Sequence, residues 1–148
     1  MIFDNTLLFS DAQAITADAG STNTVDLGAT GTPYGGIALV RDIGKGSKIP
    51  LSITVVETFN NLTSLAVSLQ VDDNSSFSSA KTVVLSAPIL AAALVAGAQI
   101  EVPDYIPQGA NERYMRLYYS ITGTAAPTTG KITAGVVAAR QTNFIGGQ

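Results

Sequence analysis

The chain contains no cysteine, no histidine and no tryptophan. Without cysteine there is no disulfide framework, no thiolate nucleophile and no zinc–thiolate site. Without histidine the commonest general base and the commonest transition-metal ligand are missing. Charge is also scarce, at 13% of residues, with a net of −3. A nucleic-acid partner would require a clear basic excess, so none is expected. No apolar run approaches the 18 or so residues of a membrane-spanning helix, and no membrane partner is expected. The first basic residue is Arg41, so the acidic start lacks the charged opening of a secretory signal, and we expect a protein made and used without export.

What is present is small and β-prone. Ala, Thr, Gly and Ser make up 62 of the 148 residues, a mix suited to flat β-surfaces and close backbone approach. The length suits one domain with a real core. Period-two alternation, the signature of a strand with one buried face, runs through residues 50–58, 64–72, 81–86, 98–103, 113–122 and 130–140. Residues 21–28 and 36–41 are weaker candidates. Residues 88–97 ("PILAAALVAG") read either as a helical turn stopped by Gly97 or as a short buried strand. Gly-, Pro-, Asn- and Ser-rich stretches separate these segments. The pattern predicts an all-β fold: a single antiparallel β-sandwich of jelly-roll type with about eight strands. Residues 1–20 are expected to form an extended N-terminal arm, 21–140 the sandwich, and 141–148 a C-terminal tail.

Sites of chemistry are weakly signalled. "GATGTPYGG" (28–36) and "GKGSK" (44–48) lack the spacing and the following helix of a phosphate loop. "VDDNSSFSS" (71–79) offers oxygens, but not the alternating carboxylates and distal glutamate of a calcium loop. It reads instead as a turn in which Asp and Asn bond their own backbone and Phe77 tucks back as a plug. Adjacent Asp72 and Asp73 point to opposite faces of an extended chain. Glu101 and Asp104 stand beside prolines, with nothing to set them across a cleft. No serine or threonine has a histidine to activate it. No catalytic residue, cofactor or metal is therefore expected.

The strongest interaction signal is "NERYMRLYYSITG" (111–123), with two arginines and three tyrosines. Met115, Leu117, Tyr119 and Ile121 share one face and are expected in the core. Tyr114, Arg116 and Tyr118 share the other, an amphipathic ladder of the composition found in protein contact patches. It could equally be plain cover for the sheet. Arg113 is expected at the rim, paired with Asp or Glu. In the arm, Phe3, Leu7, Leu8 and Phe9 are candidate apolar anchors, since so apolar a free segment must be covered by something. The alternative is that the arm covers an edge of its own sandwich.

Spread over most of the chain, "LLFSDAQAIT" (7–16), "DLG" (26–28), "DIGKG" (42–46), "VSLQVDDNSSFSS" (67–79), "LVAGAQ" (94–99), "ERYMRLYY" (112–119) and "GKITAGVV" (130–137) resemble, in order and spacing, the jelly-roll capsid cement (decoration) proteins of tailed double-stranded DNA bacteriophages. The resemblance implies a virion protein made in the bacterial cytoplasm, with no catalytic residues. Such proteins lie on the outer surface of the capsid, self-associate and clamp neighbouring major capsid protein subunits. A homodimer is expected, C2 being the commonest symmetry, with a trimer as the alternative. The rival reading is a carbohydrate- or receptor-binding jelly roll on the virion surface, a role the fold also serves. A carboxylate-only hydrolase ranks third.

Overall fold

The computed structural model describes residues 3–41, 49–103 and 110–139. Its strands are β1 (Leu8–Ala14), β2 (Ala19–Gly20), β3 (Val25–Asp26), β4 (Leu51–Glu57), β5 (Ser64–Asp72), β6 (Lys81–Leu85), β7 (Ile89–Leu90), β8 (Tyr114–Thr122) and β9 (Lys131–Val136). Two 3-10 turns, Asn5–Leu7 and Ala91–Ala93, complete the regular structure. Among the described residues no helix is long and apolar enough to cross a membrane.

The strands form two antiparallel sheets. One has the order β1-β9-β4; the other runs β2-β8-β5-β6, with β3 also on β8 and β7 also on β5. The longest pairing joins β5 to β8 from Ser64–Thr122 to Asp72–Tyr114 without a register break. Alternation explains the layering. Leu65, Val67, Leu69 and Val71 of β5 and Met115, Leu117 and Tyr119 of β8 are buried, and they share one core with Leu51, Ile53 and Val55 of β4 and Ile132 and Ala134 of β9. The fold is therefore the expected all-β antiparallel sandwich. Ile121, expected in the core, is only half-buried near the end of β8.

The expected arm is corrected by the structure. Residues 8–14 are not outside the sandwich; they form β1, an edge strand hydrogen-bonded to β9. Phe9 is fully buried in the core. The segment hides its strand character because its register shifts twice and Ala12 has φ +45, so the period-two signal is broken. Phe3 lies so close over Gly135 of β9 that a Cβ there would sit 2.9 Å from its ring.

Other elements differ in extent. In residues 98–103, Ala98 C=O accepts from Val55 N–H and Ile100 N–H donates to Ile53 C=O, so this segment runs along the edge of β4. Residues 88–97 hold the expected turn, as 3-10, after a two-residue strand that is half-buried at Ile89 and exposed at Leu90 rather than buried. Residues 36–41 form no strand at all. The expected tail, 141–148, lies outside the described residues.

Candidate functional site

β8 is central in its sheet, so both its faces are decided by neighbours. Its inward residues fill the core, and Tyr114, Arg116 and Tyr118 project from the opposite face, each half-buried. Arg116 is opposite Gln70 of β5 and donates from Nε to Gln70 Oε1 at 3.0 Å. Its guanidinium carbon lies 4.2 Å from the Phe77 ring centroid and 5.4 Å from that of Tyr118. Each stack places the cation against the negative face of a ring. Burial pushes the Arg116 pKa down, against the opposing pull of Tyr118 and Asp72. Among the described residues the Nη donors have no acceptor.

Phe77 reaches this position because the 72–79 loop folds on itself. Asp72 accepts from Asn74 N–H at 2.9 Å, Ser79 N–H at 2.8 Å and Ser79 Oγ at 2.9 Å. Asn74 accepts in turn from Ser76. The turn leaves Phe77 at φ +54, nearly buried outside the main core. Burial opposes ionisation of Asp72, but these hydrogen bonds outweigh it and bring its pKa to about 2. The expected plug is present, and it plugs the outer face. Asp72, Asp73 and Glu112 converge here. Asp72 is saturated by its own loop, and Glu112 is paired with Lys81.

At the rim, Arg113 forks onto Asp26, with Nε–Oδ1 2.8 Å and Nη2–Oδ2 2.7 Å, as expected. Arg113, with help from the Gly28 N–H, lowers the Asp26 pKa to about 2. Arg113 also stacks on Tyr114 at 5.1 Å. Tyr114, Arg116, Tyr118, Phe77 and Arg113 thus form one aromatic–guanidinium surface.

The N-terminal candidates do not join it. Phe3 and Leu7 line an open recess of about 760 Å³ with Asp4, Val136, Val137 and Ala138 on the other sheet, and Leu8 is half-buried in β1. Phe9 is a core residue rather than an anchor.

Two features were missed in the sequence. The sequence marks Phe77 as a loop plug and carries no signal that it would stack on Arg116. The stretch 29–40 signals in sequence only a failed phosphate loop and a weak strand. It is exposed throughout, with Tyr34, Ile37, Leu39 and Val40 displayed to solvent.

The Bbp16 family model matches residues 9–139. The chain belongs to the Bbp16 family. That span begins inside β1, at the buried Phe9, and takes in every later strand of both sheets. The family name is of a phage-protein type. No curated protein matches the chain.

Proposed function

We propose that this Bbp16-family protein is a structural virion component. It binds the outer surface of a phage capsid and ties neighbouring major capsid protein subunits together, stabilising the shell. The observation that carries this reading is the Arg116 site. A guanidinium stacked on Phe77 and Tyr118, held by Gln70 and left with unused Nη donors, is preorganised for a carbonyl or carboxylate of a protein partner. The phage-type family supports the setting. Self-association, as a dimer or alternatively a trimer, belongs to the same proposal, because a cementing subunit gains from multivalent attachment.

The test is co-sedimentation with DNA-filled capsids assembled without this protein. Saturable binding, together with a higher temperature of DNA release, supports the reading. Saturable binding to glycans in a parallel panel, with none to capsids, overturns it in favour of a receptor-binding role.

A further inference from the structure

The stretch 28–41 departs from the rim of the sandwich as a finger. Its base is clamped. Asp26 holds Gly28 N–H at 2.8 Å and is itself gripped by Arg113. The Arg41 guanidinium donates to Gly28 C=O, and Arg41 N–H donates to Asn111 Oδ1 at 2.7 Å. Beyond the base, Gly36 N–H donates to Pro33 C=O at 3.0 Å, closing a turn with Tyr34 at its tip and Gly35 at φ +71. That turn has the form that demands glycine at its third position. Leu39 N–H donates to Gly31 C=O at 3.0 Å and brings the two limbs together.

The returning limb, Gly-Ile-Ala-Leu-Val, has strand-forming composition and negative φ from Ile37 to Val40. Yet among the described residues it pairs with no strand, and the N–H groups of Ile37, Ala38 and Val40 have no acceptor there. Tyr34 and Ile37 are 108% and 87% exposed, and Leu39 and Val40 more than half. A clamped limb with β-forming residues, apolar side chains and one backbone edge open, the edge of Ala38 and Val40, is a strand without its sheet.

We propose that residues 36–40 complete themselves by strand addition to an open β-sheet edge on the shell protein, with Tyr34, Ile37 and Leu39 seated on an apolar surface beside that edge. This rests on the capsid-binding reading above. Charge and edge chemistry select that occupant. No charged residue occurs from Leu27 to Val40, the chain carries −3 and it lacks tryptophan, which disfavours an anionic lipid surface. A second copy offers no ready edge among the described residues. β1 is bulged, β4 is covered by residues 97–100, and β2, β3 and β7 have two residues each. β6 is short, with a register break against β5 and Lys81 on its edge.

The test is Ala38→Pro. It deletes an N–H that the folded chain does not use and leaves every apolar side chain of the finger in place. Ala38→Ser is the control, and Ile37→Ser/Leu39→Ser removes the apolar contact while keeping the backbone. Wild type and variants are titrated onto DNA-filled capsids assembled without this protein, and amide exchange of residues 36–40 is followed free and bound. We expect Ala38→Pro and the double variant each to weaken binding tenfold or more with unchanged melting temperature. The control should bind as wild type, and the amides of Ala38 and Val40, on the edge opposite the Leu39–Gly31 bond, should become protected only on capsids. Wild-type binding by Ala38→Pro, or no protection on capsids, overturns strand addition while leaving the capsid-binding reading in place. Failure of the wild type to bind capsids overturns both. Loss of self-association on sedimentation of Ala38→Pro, with capsid binding retained, overturns the assigned partner in favour of a second copy.

Discussion

The hydroxyls of Ser10 and Tyr119 meet at 2.8 Å in the core, one from each sheet. Ser10 donates its only hydroxyl proton to Gln13 Oε1 at 2.7 Å, so Tyr119 is the donor to Ser10. Gln13 also accepts from Thr22 and donates to Gly20 C=O, so the relay pins β1 to the turn after β2. The edge strand is thus tied across the sandwich as well as to β9.

Removing the Tyr119 hydroxyl tests that tie. Tyr119→Phe leaves a buried acceptor on Ser10 unpaired and is expected to cost about 1–2 kcal/mol in denaturant unfolding. Burial pushes the Tyr119 pKa up to about 12, against a smaller opposing effect of the Ser10 hydrogen bond. The native state therefore keeps its proton after the unfolded chain, with an ordinary value of 10.0, begins to lose it. Stability from this group is complete below pH 10 and is lost as pH rises towards 12. The variant should lack that alkaline slope; an unchanged slope would mean that Tyr119 is not its source.

Acid should act through Asp72 and Asp26. Both have native pKa values of about 2, below the ordinary 3.8. Their contribution is present above pH 4 and is lost as pH falls towards 2, because the unfolded chain takes up protons first. Asp72→Asn replaces an acceptor oxygen with a donor facing Ser79 or Asn74. It should lower the melting temperature at pH 7 and flatten the acid limb between pH 4 and 2. Thermal melts across that range check both effects.

Phe9→Ala should behave as a core truncation and cost about 3–5 kcal/mol. Deleting residues 1–10 removes that side chain with the first half of β1, and should lower the melting temperature of the isolated protein. Equilibrium unfolding decides the matter. Full stability combined with weakened capsid binding would restore Phe9 as an exposed anchor.

Arg116→Ala should weaken capsid binding by about 2 kcal/mol, the scale of an interface hot spot. Loss of its stacks should change folding stability by no more than about 1 kcal/mol. Parallel binding and unfolding measurements separate a contact residue from sheet cover. Unchanged affinity would reduce the ladder to cover.

The sequence by itself determined the all-β class, the buried faces of β5 and β8 and the outward ladder Tyr114–Arg116–Tyr118, because strand periodicity assigns every second residue to one face. It also indicated the Arg113–Asp26 rim pair in kind and the 72–79 turn in detail, since Asx turns are local. Only the tertiary structure decided the rest. β1 was illegible because its bulges break the period, and its place beside β9 depends on residues more than a hundred positions away. Phe77 meets Arg116 across two strands and a loop, a contact encoded by no local spacing. Residues 36–41 read as a weak strand because their composition is that of a strand. That no strand among the described residues pairs with them is decided by the fold, since a strand's hydrogen bonds always lie with another segment.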